Sequence, residues 1–178
     1  MKQKKFLTVM AVLDEETQAR MNGLQQSILS LGLTGTQTMG IPFHISLGSY
    51  PPEKEADVLA EMRRTAQATG AFPVKFTGLE TFSDRVLFLK PETDRALIRL
   101  HQPFDSAYAD GFPWTPHATL FCGDEADVRR AKKALEGTHF PICARVTALE
   151  LGRFFPAKFI GREELLSGSK AGKEVCEP

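Results

Sequence analysis

The chain is poor in the residue types that most often advertise a function. Its 178 residues include three cysteines, four histidines, two tyrosines and one tryptophan. Cys122, Cys143 and Cys176 are odd in number, and no two have the close spacing of a zinc or redox motif. A reducing, cytoplasmic setting is the expectation. Charge of either sign in excess is also missing: 22 Lys and Arg balance 22 Asp and Glu. No global basic field exists to hold a long nucleic acid by its phosphates, so a small substrate or the end of an RNA fits better. No apolar run is long enough to span a bilayer. The run Phe6 to Leu13, preceded by Lys2, Lys4 and Lys5, imitates a secretory signal. It is short, however, and passes into Asp14-Glu15-Glu16 without a small-residue cleavage site.

What remains is the composition of an ordinary soluble domain, 42% hydrophobic and 25% charged. Phe6 to Leu13 reads as a buried strand. Asp14 can cap a helix whose apolar stripe is Met21, Leu24, Ile28 and Leu31, with Gly32 as its stop. A Gly- and Thr-rich loop leads to a strand at about 43 to 49, ended by Pro51-Pro52. A helix follows at about 53 to 69, then strands at about 72 to 77 and 85 to 90. A third helix spans about 93 to 104, with Leu97, Leu100 and Phe104 on one face. After an irregular loop comes a strand at about 116 to 122. Asp124 caps a fourth helix, and strands at about 140 to 151 and 157 to 162 form a hairpin. From Ser167 the tail is polar.

The chain also repeats itself. His44-x-Ser46-Leu47, Glu55-Ala56-Asp57-Val58, Phe72-Pro73-Val74 and Leu79-Glu80 occur in that order. They recur as His117-x-Thr119-Leu120, Glu125-Ala126-Asp127-Val128, Phe140-Pro141-Ile142 and Leu149-Glu150. Upstream, a helix starting near Glu16-Thr17 matches one starting near Glu92-Thr93. The pattern predicts one α+β domain over residues 1–166, with a tail at 167–178. Its repeat halves are about residues 5–80 and 85–166. Equivalent strands are expected to meet near a pseudo-twofold axis, with their histidines facing each other.

The chemistry sits in the paired motifs. A strand alternates its side chains, so His44 and Ser46 share a face, as do His117 and Thr119, while Ile45, Leu47, Ala118 and Leu120 point to a core. Histidine titrates near pH 6.5, so one ring can be neutral and another charged at cellular pH. Two rings flanking a phosphodiester can divide the proton transfers, one as base and one as acid. The hydroxyls of Ser46 and Thr119 can donate to non-bridging phosphate oxygens. No His-x-His, His-x-x-x-His or paired-Cys spacing points to a metal site. His101 and His139 lie outside this pattern and read as surface or structurally satisfied residues. Arg63-Arg64, and Arg129-Arg130 with Lys132-Lys133, read as solvated helix faces.

These motifs, their separation and the duplicated strand–helix pattern resemble the two-histidine (2H) phosphoesterase superfamily, most of all its 2′-5′ RNA ligase-like, RNA 2′,3′-cyclic phosphodiesterase branch. The resemblance covers about residues 5 to 165. It implies a bilobal α+β fold with antiparallel sheets around a central cleft, in which His44 and His117 are the acid–base pair, Ser46 and Thr119 bind phosphate, and no metal or other cofactor takes part. It implies a nucleotide or RNA end with a cyclic phosphate as substrate. Ligation of 2′-5′ ends, or binding of a nucleotide or RNA end without turnover, are the alternatives. A monomer with no obligate protein partner and no membrane attachment is expected. Weaker substrate-binding candidates are Tyr50, continuing the His44 face, Trp114 with Phe112 in the preceding loop, and Phe155 with Phe154 and Arg153 at the final hairpin.

Overall fold

The structure is a computed structural model that describes residues 4–105 and 113–167. Phe112, Cys176 and the polar tail beyond Ser167 lie outside the described residues. In β1 (Phe6–Leu13) alternate side chains part: Leu7, Val9, Ala11 and Leu13 enter the main core, whereas Phe6 and Thr8 line a cleft on the other face. Asp14 ends the strand and caps α1 (Glu15–Leu29), accepting from the Thr17 amide at 2.9 Å. β2 (His44–Tyr50) leads through a 3-10 turn at Pro52–Lys54 into α2 (Glu55–Ala68). β3 (Phe72–Phe82) and β4 (Val86–Pro91) form a hairpin. Asp94 caps α3 (Arg95–His101), which runs into a 3-10 turn, Gln102–Phe104. β5 (Ala118–Cys122), α4 (Glu125–Ala134) capped by Asp124, β6 (Ile142–Phe154) and β7 (Lys158–Glu164) complete the order.

The strands form one seven-stranded sheet, ordered β2-β1-β6-β3-β4-β5, with β7 on β6. Its ladders are antiparallel. If β1, β2 and β3 are equated with β4, β5 and β6, exchanging the halves reverses this order and leaves it unchanged. The register agrees. Val74 pairs with Ala144 and Phe76 with Ile142, and the repeat that equates Phe72 with Phe140 converts one pair into the other. Lys75 opposite Cys143 maps onto itself, so the pseudo-twofold axis passes through that pair.

Two expectations need correction. The sheet is continuous rather than two separate sheets, because β3 and β6 are longer than the apolar pattern suggested. Each pairs first with the other, over Phe72–Phe76 and Ile142–Val146. Each then continues beside the first strand of the opposite half, β3 with β4 and β6 with β1. The strands that meet at the axis are therefore β3 and β6, and the histidine strands β2 and β5 are the outer edges. They nonetheless come within 8 Å, Cα to Cα, which the spacing of strands in a flat sheet would not allow, so the sheet is bent. Helices also trade places: α1 packs on β5, and α3 on β2. The sequence halves are thus interwoven. Buried Phe76, Phe104 and Phe121 anchor the core, each contributing roughly 1.5–3 kcal/mol of burial. No described helix is long and apolar enough to cross a membrane.

Candidate active site

The two motif strands present their faces as alternation requires. Ile45, Leu47, Ala118 and Leu120 are fully buried in the main core. On the opposite face His44, Ser46, His117 and Thr119 line a single cleft of about 1230 Å³. That is larger than the roughly 300–1,000 Å³ of typical small-molecule sites, so the cleft has room for more than one phosphate group.

Both rings are oriented by the same local device. His44 Nδ1 lies 2.7 Å from the Pro42 carbonyl oxygen, and His117 Nδ1 lies 2.8 Å from that of Thr115. A carbonyl can only accept, so each Nδ1 carries the proton and each Nε2 is left for the cleft. Gln18 of α1 steadies the approach to His44: its amide donates to the Phe43 carbonyl at 2.7 Å and accepts from the Phe43 N–H at 2.8 Å. His117 is held edge-on by Phe82 and Phe88, with centroids at 4.8 and 5.4 Å.

Burial lowers the pKa of His44 against the opposing bond to Pro42, and the charge of His117 lowers it further. Burial likewise lowers His117, opposed by the bond to Thr115. The two rings therefore sense each other across the cleft, and a proton on one discourages a proton on the other. Such a pair can hold one neutral and one charged imidazole around an anion. Among the described residues no lysine or arginine lines the cleft, and Asp105 is the one carboxylate that does. The basic helix residues lie on outer faces, where Arg64 pairs with Glu61 and Arg129 with Glu125.

The weaker candidates fare differently. Trp114 lines the cleft, stacks on His101 at 3.8 Å and donates through Nε1 to the Ser46 carbonyl at 2.9 Å. Tyr50 is not on the His44 face. Leu47 is an extra, unpaired residue in the β1–β2 ladder, since Val9 pairs with Gly48 and Met10 with Ser46. That bulge reverses the alternation beyond it. Ser49 takes the place beside Thr8 in the cleft, and the Tyr50 hydroxyl donates to the Phe104 carbonyl at 2.8 Å. Burial, with Glu61 and Asp105 nearby, pushes that hydroxyl up to about 12.

Phe155 is not in the cleft either. It turns away at φ +61° and packs edge-on against Phe6 at 5.7 Å, while Phe154 lines the cleft stacked on Phe6 at 5.2 Å. Alternation along β6 decides this, because Phe154 shares the Gly152 face opposite Thr8. Arg153 is on the far side, paired with Glu55. Sequence reasoning missed Phe6, Phe82, Gln18 and Gln25 as cleft residues. Phe6 read only as a strand residue, Phe82 fell between two expected strands, and the glutamines sit between apolar helix positions, so none carried a signal.

The fold has relatives. The fold is similar to that of TT0787 of Thermus thermophilus, at a TM-score of 0.64 and 18% identity over 92% of this chain and 100% of that one. It is also similar to E. coli LigT complexed with 3′-AMP, at a TM-score of 0.58 and 16% identity over 93% and 100%. A structure described as a phosphoesterase matches at a TM-score of 0.57 and 18% identity over 90% and 98%. No curated protein sequence matches the chain. The sequence pattern of the 2′-5′ RNA ligase superfamily matches residues 38–154, a stretch that begins just before one histidine motif and continues past the other. On that match and this fold, the chain belongs to the 2′-5′ RNA ligase superfamily, among the 2H phosphoesterases.

Proposed function

We propose that this protein is a phosphoesterase that opens 2′,3′-cyclic phosphodiesters, or cleaves related 2′-5′-linked nucleotide or RNA ends, by acid–base chemistry between His44 and His117. One ring, neutral, takes a proton at Nε2 from the attacking water as the water oxygen bonds to phosphorus. The other, protonated, gives its Nε2 proton to the ester oxygen as that P–O bond breaks. One P–O bond forms, one breaks, and the rings exchange protonation states, which solvent then restores. Ser46 and Thr119 donate to the non-bridging oxygens as charge builds there. With the 5′-hydroxyl of a second strand attacking in place of water and the 3′-oxygen leaving, the same groups would join a 2′-5′ linkage.

The observation that carries this reading is the pair of rings in one cleft, each with Nδ1 already donated to a carbonyl. Two further points support it. The similar fold of E. coli LigT is known with phosphate and with 3′-AMP. The near-neutral cleft suits a single phosphate at a nucleotide or RNA end better than a long backbone.

The test is direct. Chelator-treated protein is incubated with a nucleoside 2′,3′-cyclic phosphate, and ring opening is followed by phosphorus NMR. Turnover is expected, with His44→Ala and His117→Ala each lowering it roughly 10²–10⁴-fold. Full activity in either variant, or activity only with added metal, overturns the proposal.

A further inference from the structure

We propose that Gln25 and His101 are a matched pair of positioning residues, each holding the histidine-bearing strand of the opposite repeat. The inference rests on the acid–base reading above.

It starts from the duplicated bulge. Leu47 is the unpaired residue of the β1–β2 ladder, and Leu120 is the unpaired residue of the β4–β5 ladder, because Leu87 pairs with Phe121 and Phe88 with Thr119. The two leucines are the same position of the two motifs. A bulge takes a residue out of its ladder, and an edge strand has no second strand to make good the loss. A side chain supplies the donor in both places. Gln25 Nε2 donates to the Leu120 carbonyl at 2.9 Å, and His101 Nδ1 lies 2.7 Å from the Leu47 carbonyl, which can only accept. Both donors are enclosed, Gln25 at 7% exposure and the His101 side chain at 12%.

The two donors are themselves equivalent. They stand equally far beyond Glu16-Thr17 and Glu92-Thr93, on helices α1 and α3. Each reaches across to the other repeat, which is why α1 packs on β5 and α3 on β2. The side chains differ, glutamine in one half and histidine in the other, yet each delivers one N–H to one bulged carbonyl next to a motif hydroxyl. Neighbouring ties reinforce them. Trp114, stacked on His101, holds the Ser46 carbonyl. On the other side Gln37 accepts from the Cys122 N–H at 3.1 Å, and Thr36 donates to the Cys122 carbonyl at 2.7 Å. The separation of two imidazoles on opposite edges of a sheet is thereby set by bonds from the opposite half rather than by the ladders alone. His101, one of the two histidines outside the motifs, is thus given a task in the site's geometry.

The molecule supplies its own conservative replacement. His101→Leu removes the donor and keeps the bulk. His101→Gln installs the side chain that the other half uses, and Gln25→Leu and Gln25→His are the reciprocal pair. Turnover of a nucleoside 2′,3′-cyclic phosphate is measured well below each variant's melting temperature. The leucine variants are expected to lose kcat roughly 10- to 100-fold with KM changed less than about threefold, since misplacing a reacting group costs rate. His101→Gln is expected to return to within about threefold of the parent. A leucine variant that keeps more than about half of kcat, or a glutamine variant as impaired as the leucine one, overturns the inference.

A second arm needs no turnover. The ring protons of His44 are followed by NMR from pH 8 to 4.5. Loosening β2 admits water, so the depressed titration of His44 moves toward its ordinary value of about 6.5 in His101→Leu and stays put in His101→Gln. An unmoved titration in His101→Leu overturns the positioning role. A parent protein that titrates as expected but opens no cyclic phosphate overturns the enzymatic reading instead.

Discussion

His44 and His117 repeat one geometry: in each, Nδ1 is bonded to the carbonyl oxygen two residues earlier in the chain, at 2.7 and 2.8 Å. The bond settles the tautomer of both rings before any substrate arrives. Burial then lowers both pKa values, and the charge of one ring weighs on the other. Above the ordinary histidine value near 6.5, both rings of the empty cleft are mainly neutral, so the acid form is the scarcer one. The profile of kcat/KM against pH is expected to be bell-shaped with its maximum on the acid side of about 6.5, measured on a cyclic nucleotide across pH 4.5–9. A maximum above pH 8 contradicts the assignment.

The same shifts act on stability. A histidine whose folded pKa lies below its unfolded value binds fewer protons when folded, so stability falls with pH once pH drops through about 6.5 toward the folded pKa. The fall ends below the folded pKa. Melting temperature is expected to decline between pH 7 and 5, and His44→Asn is expected to shrink that decline. An equally steep decline in the variant would show that other groups cause it.

Anion binding is linked to the same protons. A phosphate between the rings favours their charged forms and raises their pKa values, so binding must take up protons. Inorganic phosphate is expected to raise the melting temperature more at pH 6 than at pH 8, by differential scanning fluorimetry, and to lose that difference in His117→Ala. Equal stabilisation at both pH values goes against a phosphate seated between the rings.

Ser46 and Thr119 test the hydroxyl donors. Losing one donor to developing charge costs about 10²–10³ in kcat where that donor is dominant. With two donors sharing the task, Ser46→Ala and Thr119→Ala are each expected to lower kcat about 10-fold or more, and the double variant further. Unchanged steady-state kinetics in both single variants removes them from the site.

Gly48 tests the wall behind the His44 strand. A Cβ added there would stand 2.1 Å from the Phe104 carbonyl oxygen, a backbone atom that cannot swing aside. Gly48→Ala is expected to cost about 1–3 kcal/mol, and each kcal/mol lowers the melting temperature by about 2–4 °C at this chain length. Because the displaced segment follows His101 directly, turnover should fall as well. A fully stable and active Gly48→Ala contradicts the close approach.

Much of this was legible in the linear chain because it depends on local periodicity. Asp14 and Asp124 cap helices as short polar acceptors do. The alternation in the two motifs placed Ile45, Leu47, Ala118 and Leu120 in the core. Phe155 lost its place because alternation along β6 gives the cleft face to Phe154, and Tyr50 went astray for a reason that is also local but invisible to composition. A one-residue bulge at Leu47 inverts every position after it, and nothing in His44-Ile45-Ser46-Leu47 marks which residue will leave the ladder.

The sequence alone determined that two imidazoles and two hydroxyls would each stand on the solvent-side face of a half-buried strand, because side-chain alternation is a property of the backbone. Only the tertiary structure decided that the two strands lie at opposite edges of one bent sheet, and that each is tied to a helix from the other half. Those relations depend on pairings between residues far apart in the chain, Lys75 with Cys143 and Gln25 with Leu120, and the free energy that selects them belongs to the assembled core rather than to any segment of it.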